Sequence, residues 1–314
     1  FILIFQKSLK VIIAGGSGFI GSRLIQRLND AKHDVVLLSR NPGAIRSYEN
    51  GALKIVQWDG RTVGSWSQFI DGADVVINLA GENIAAKRWS EKQKIRLVNS
   101  RIESTRTIIQ SINNAKKKPR VLVNASAVGF YGNDGDGDVA EAQTKGEGFL
   151  SDLCEQWERE AQDAEKSGLR VVLLRIGVVL DSSGGALKKM LLPFKLFIGG
   201  PLGSGKQWFP WIHREEIINI ILFSLENGSI SGPVNVVSPS HVTMKEFTSS
   251  LGKAMRKPSW ISVPSFFLKM ALGEMSEMLV GGRRITPKKL LDNGFVFQYP
   301  DLEATLDSLF KERK

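Results

Sequence analysis

The chain has 314 residues, 42% of them hydrophobic and 24% charged, a composition that excludes low-complexity disorder, a collagen-like rod and a disulfide-stapled miniprotein. The net charge is +10, but the positives are scattered and the densest run, Lys116-Lys117-Lys118, stands beside Pro119 at an expected helix end, so nucleic acid is not an expected partner. Cys154 is the single cysteine, which excludes an intrachain disulfide and points to the cytoplasm or another reducing compartment, such as an organelle stroma or matrix.

No stretch reaches the roughly 20 apolar residues of a membrane span, and Phe1-Ile2-Leu3-Ile4-Phe5, far shorter, stands outside the fold argument. Near-continuous, β-branched runs at residues 11–14, 35–38, 55–56, 75–79, 121–123 and 171–174 predict strands covered on both faces, hence a parallel sheet. Helical spacing fills residues 19–29, 90–113 and 148–167 between them. Repeated strand–helix–strand order predicts an α/β fold, a Rossmann-type doubly wound parallel sheet.

After Gly177 the pattern changes: Gly and Pro punctuate residues 184–185 and 199–205, helices follow at 215–226 and 245–255, and a strand at 234–237 is expected to return to the sheet. Beyond Pro258, short helices are broken by Pro264, Gly273 and Pro287. The expected division is a nucleotide-binding domain over residues 9–178 and a smaller, mostly helical substrate region over 179–314 packed against it.

Gly15-Gly16-Ser17-Gly18-Phe19-Ile20-Gly21 follows the first strand and opens the first helix. Gly15 permits a sharp turn, Gly18 lets backbone approach a pyrophosphate, and Gly21 allows close helix–sheet packing. The helix start presents unpaired N–H groups and a partial positive charge to phosphates. In that context the glycines predict dinucleotide binding.

The end of the second strand discriminates between dinucleotides. An acid there binds a ribose 2′-hydroxyl; this chain has Ser39-Arg40. Arg40 can make a forked contact to a 2′-phosphate, with the Ser39 hydroxyl beside it, so NADP(H) is the expected cofactor. Asp59 either caps an adenine amino group or caps its own turn at Gly60.

These segments resemble the extended short-chain dehydrogenases/reductases, the nucleotide-sugar epimerase group, and within them an atypical epimerase-like branch with its own C-terminal domain of unknown function. The resemblance rests on residues 78–84 (Asn-Leu-Ala-Gly-Glu-Asn-Ile), Arg88-Trp89, Ser100-Arg101, residues 126–132, Trp157-Glu158, residues 175–180, the run 192–213 and Pro287-Lys288-Lys289-Leu290-Leu291. It implies cofactor contacts from Leu79, Ala80, Gly81, Glu82 and Arg101, and places the nicotinamide against Gly177 and Val178. It also implies a Tyr-x-x-x-Lys pair, yet the matching helix carries Leu150 and Cys154 in those places. Ala127 stands where a Ser or Thr belongs, with Ser126 one residue away.

Replacement acid/base candidates are therefore Tyr131, near the nicotinamide end of the sheet, Ser126, and His213, whose ordinary pKa suits proton transfer. Packing roles for Tyr131 and His213 remain open. The loop at residues 199–207 reads as a substrate cover in which Lys206 meets an anionic group, or as a static turn. Scattered histidines and a solitary cysteine support no metal site. Two functions fit: an NADP(H)-dependent oxidoreductase or isomerase acting on a small molecule with a rearranged site, or a nonenzymatic NADP(H)-binding sensor or partner-binding protein.

Overall fold

The apolar runs of the first half pair side by side in the computed structural model, which describes residues 7–44, 53–133, 135 and 137–311. Residues 1–5, set aside above, lie outside the described residues. The strands are β1 (Lys10–Ala14), β2 (Asp34–Ser39), β3 (Leu53–Gln57), β4 (Val75–Asn78), β5 (Val121–Ala127), β6 (Asp138–Val139), β7 (Arg170–Ile176), β8 (Val178–Leu180), β9 (Trp211–His213), β10 (Gly232–Val236) and β11 (Arg284–Ile285). The helices are α1 (Phe19–Asp30), α2 (Glu91–Asn114), α3 (Phe149–Gln162), α4 (Gly185–Lys195), α5 (Arg214–Glu226), α6 (Met244–Met255), α7 (Ser265–Leu272), α8 (Glu277–Val280), α9 (Lys288–Asp292) and α10 (Leu302–Lys311).

Seven strands form one sheet in the order β3-β2-β1-β4-β5-β7-β10, every neighbouring pair parallel. The chain begins at β1, winds outward through β2 and β3, then returns to β4 on the opposite side. Loops leaving β1 and β4 therefore diverge and open a crevice at the carboxyl ends of the strands. This is the Rossmann-type doubly wound sheet that the sequence predicts.

Side chains alternate between the two faces of a strand, and each face builds its own core. Val11, Ile13, Val35 and Leu37 pack with Leu24 and Leu28 of α1 and with Ile217 and Ile221 of α5. Ile12, Ala14, Val36 and Leu38 pack with Ile108 and Ile112 of α2 and Ala161 of α3. A third core joins Leu187 and Leu191 of α4 to Phe247 and Leu251 of α6 and Leu306 of α10. Helix α6 begins where Thr243 and Glu246 form a reciprocal capping box.

Three boundaries differ from the sequence reading for physical reasons. Strand β5 runs on to Ala127, because Asn124 and Ser126 find buried partners although they break the apolar run. The helix expected to reach residue 167 ends at Gln162 and tightens into a 3-10 turn over Asp163–Ser167 ahead of Gly168, whose φ is +80°. Strand β10 starts two residues earlier than expected, at Gly232, and lies at the sheet edge beside β7.

Candidate functional site

The turn between β1 and α1 is shaped by what a side chain would strike. Gly15 has φ +76°, and a Cβ there would lie 2.5 Å from the carbonyl carbon of Leu79. The turn is thereby drawn onto the end of β4. Gly18 caps α1 without any side-chain hydrogen bond, and no acid occupies the first turn. The first amide bonded within the helix is Ser22 N, to Gly18 O at 2.9 Å. Amides at a helix start have no partner within the helix, the arrangement that holds a phosphate group. Ser17 lies in the turn, and Phe19, Ile20 and Gly21 open α1. Gly21 fits only as glycine, since a Cβ would come within 2.5 Å of Gly16 Cα.

A second helix start meets the first. A Cβ on Gly184 would be 2.9 Å from the Phe19 ring, so α4 begins directly over α1. The Arg214 guanidinium lies 4.9 Å from the centre of the same ring and pairs with Asp181 at 3.1 Å.

Beyond β2, Ser39 is buried and its Oγ accepts from Asn41 N at 3.1 Å, turning the hydroxyl into its own loop. The Arg40 side chain is exposed and takes no partner among the described residues. Among the described residues, an unpaired guanidinium rather than an acid follows β2. Asp59 caps its own turn, accepting from Arg61 N and Thr62 N at 2.8 and 2.9 Å and from the Thr62 hydroxyl, bonds that hold its carboxyl below the usual range.

The loop after β4 is positioned by polar residues that interrupt apolar strands. Asn78, fully buried, donates to Thr105 Oγ1 at 3.0 Å and Asn124 Oδ1 at 2.7 Å, while its Oδ1 accepts from Ala80 N at 3.1 Å. Leu79 N bonds Ala14 O at 2.9 Å. Glu82 accepts from Gln93 Nε2 at 2.8 Å, and its amide donates to Ser100 Oγ at 3.0 Å. Arg101 reaches Glu82 O and Leu97 O, each at 3.1 Å, and stacks 5.1 Å from the Trp157 ring. With Gly81 pressed against it, Arg101 braces the loop that borders the crevice.

The three acid/base candidates turn out to be engaged elsewhere. Tyr131 is 1% exposed; its hydroxyl donates to Asn235 Oδ1 at 2.6 Å and accepts from Arg175 Nη1 at 2.8 Å. Burial is the main cause of a pKa pushed up to about 12, which ill suits proton transfer near neutrality. Ser126 donates to Glu158 Oε1 at 2.6 Å, and Glu158 also takes Nε and Nη2 of Arg175 at 2.9 and 2.7 Å. His213 is the cap of α5, its Nδ1 accepting from Glu215 N at 3.3 Å, and its ring stacks on Tyr299 at 3.9 Å. Burial pushes its pKa down to about 4, so it is neutral at physiological pH. The Tyr131 and Ser126 hydroxyls are thus held by buried partners, and His213 Nδ1 serves as a helix cap.

Helix α3 carries neither tyrosine nor lysine. Cys154 is buried, and desolvation pushes its thiol up to about 12, far from a reactive thiolate. The buried pair Arg175–Glu158, with Asn235 and Glu141, is what motif spacing alone overlooks. A polar residue inside each of the apolar runs of β4, β5, β7 and β10 was the available signal.

After β7, Gly177 lies in close contact with the next segment: a Cβ would fall 2.6 Å from Pro210 O. Val178 N bonds that oxygen at 2.7 Å, so β8 leaves the sheet to pair with β9. The loop at residues 199–207 is tied to neighbouring segments by hydrogen bonds. Gly203 N bonds Val263 O, Lys245 N bonds Gly205 O and Met244 N bonds Gln207 O, each at 2.9 Å. The Gln207 amide reaches Leu202 O and Leu279 O at 2.8 Å. Lys206 itself is exposed. Among the described residues, no group of His, Cys, Asp or Glu is placed to hold a metal, and no helix is long and apolar enough to cross a membrane.

The profile of the NAD dependent epimerase/dehydratase family matches residues 11–237, and that of DUF1731, a domain of unknown function, matches residues 263–309. The epimerase family protein YfhF of Bacillus subtilis (strain 168) is 42% identical over 307 residues, 98% of this chain and 99% of that protein. The chloroplastic epimerase family protein SDR39U1 homolog of Arabidopsis thaliana is 37% identical over 311 residues, 98% of this chain and 88% of that protein. The crystal structure of human epimerase family protein SDR39U1 (isoform 2) with NADPH is similar at a TM-score of 0.85 and 33% identity, covering 96% of this chain and 99% of that one.

Proposed function

Because the chain belongs to the NAD dependent epimerase/dehydratase family, we propose that it binds NADP(H) in the crevice at the carboxyl ends of β1, β4 and β7. There it acts as an oxidoreductase or epimerase-like isomerase on a small molecule, without a Tyr-x-x-x-Lys relay. The observation that carries the reading is the exposed Arg40 guanidinium at the end of β2, unpaired among the described residues, in a fold whose human relative was crystallised with NADPH.

In this reading the amides from Ser17 to Gly21 hold the pyrophosphate and Arg40 the 2′-phosphate, with Ser39 keeping the turn in shape. Asp59 borders the adenine, Leu79, Ala80, Gly81 and Glu82 line the ribose side with Arg101 behind them, and Gly177 and Val178 flank the nicotinamide. When bound, the cofactor supplies the hydride. This chain's residues orient it and exclude water, and proton exchange passes through substrate or solvent rather than Tyr131, Ser126 or His213. Residues beyond 178 cover the substrate, where the exposed Lys206 meets an anionic group.

One observation favours a second reading, a nonenzymatic NADP(H) sensor: the Ser126 and Tyr131 hydroxyls are committed to buried partners, and His213 Nδ1 caps α5. Single-turnover mixing of NADPH-loaded protein with candidate carbonyl metabolites separates the two. Loss of the reduced-nicotinamide absorbance with a metabolite supports the enzyme; persistence of bound NADPH against every metabolite supports the sensor.

A further inference from the structure

Two stretches of the chain contain no acidic residue: residues 182–214, between Asp181 and Glu215, and residues 247–273, between Glu246 and Glu274. The fold lays parts of them side by side. Trp260 N and Ile261 N donate to Gly199 O at 3.1 and 3.2 Å, and Val263 N donates to Pro201 O at 2.9 Å. The end of α4 and the segment leading into α7 thus form one surface. On it Leu196, Phe197 and Ile198 are 59%, 55% and 50% exposed, and Trp260, Phe266 and Met270 are 75%, 70% and 61% exposed. An apolar face of this extent marks a docking surface rather than scattered surface residues.

Phe197 adds a conformational argument. Helix α4 ends with Phe197 N bonded to Phe194 O and Ile198 N bonded to Pro193 O, both at 3.0 Å, the two hydrogen bonds of a Schellman turn. The left-handed position of that turn, at φ +61°, favours glycine, yet it holds an aromatic side chain that is left half in water. The strained position leaves the side chain 55% exposed rather than seated in a core.

The charge on the face has one sign. Lys257 Nζ sits 3.8 Å over the Phe197 ring, Lys195 follows on α4 and Lys269 on α7, and none of the three pairs with a carboxylate among the described residues. A second copy meeting this face would oppose these lysines to their own equivalents, with no acid on either stretch to offset them. Protruding aromatics ringed by long basic side chains instead match the boundary between acyl chains and anionic headgroups.

We propose that this face rests on an anionic lipid bilayer, with Phe197, Trp260 and Phe266 entering the headgroup–acyl boundary and Lys195, Lys257 and Lys269 reaching lipid phosphates. The association is peripheral. Helix α4 carries the face at its end while its start lies over Phe19 at the crevice, so bilayer and crevice share one rigid element.

Flotation of the full chain with vesicles tests this. The protein is expected to rise with vesicles of equal parts phosphatidylglycerol and phosphatidylcholine and to stay down with phosphatidylcholine alone. Trp260→Glu with Phe266→Glu, and separately Lys195→Ala with Lys257→Ala and Lys269→Ala, should each weaken flotation by roughly tenfold or more, with the thermal midpoint unchanged. No flotation of the parent protein with the anionic vesicles overturns the proposal, as does full flotation of the double Glu variant. Loss in that variant of a self-association seen by sedimentation velocity, with no lipid effect, would instead assign the face to a second copy.

Discussion

Removing the Tyr131 hydroxyl leaves Asn235 Oδ1 and Arg175 Nη1 without the partner each holds at 2.6 and 2.8 Å. Tyr131→Phe is therefore expected to lower stability by about 1–3 kcal/mol, read as an earlier urea midpoint, while NADPH affinity is retained. A variant of unchanged stability whose turnover collapsed would return the phenol to catalysis. His213 makes a pH prediction. Its folded pKa of about 4 lies below the ordinary value of 6.5, so protons favour the unfolded chain and stability falls as pH drops from 6.5 through 4. His33 and His241 are shifted in the same direction by burial. His213→Asn keeps a capping acceptor and should shallow that acid limb by about one proton. An unchanged slope in stability against pH would contradict the buried, neutral imidazole.

At the scale of elements, β5, β7 and α3 are tied by one buried ion pair. Glu158 and Arg175 are 4% and 3% exposed and joined at 2.9 and 2.7 Å. Breaking such a pair from one side strands a charge, so Glu158→Leu should cost about 3–5 kcal/mol, whereas Glu158→Leu with Arg175→Met should cost less than either change alone. Additive losses in denaturant titrations would show that the two side chains act independently. These same elements mark where sequence reading succeeds and stops. The runs that become β1, β2 and β4 declared a parallel sheet because full burial leaves no polar alternation, and the glycine spacing declared the turn at Gly15. The partners of Tyr131, Ser126 and His213 were not legible, because residue type reports chemistry while surroundings depend on neighbours distant in sequence: Asn235 lies 104 positions from Tyr131. For the loop at residues 199–207 the sequence left a cover and a static turn both open, since its backbone bonds run to residues 244, 245 and 263.

The whole molecule does not separate at the change of pattern after residue 178. Ile217 and Ile221 of α5 and Val234 and Val236 of β10 share a core with Val11, Ile13 and Val172, so the later chain completes the sheet that the earlier chain begins. Calorimetry should show one cooperative unfolding transition rather than two, raised together by NADPH; two resolved transitions would mean that the regions fold independently. The crevice at the centre of that unit carries the central claim, a dinucleotide held at the start of α1 and chosen by Arg40. Calorimetric titration of the parent protein and Arg40→Ala with NADPH and with NADH tests it most directly. Loss of a charge-assisted contact to the 2′-phosphate should weaken NADPH by about 1.5–3 kcal/mol, roughly ten- to a hundredfold, and leave NADH almost untouched. Equal losses for both dinucleotides, or a parent protein that prefers NADH, would contradict the account.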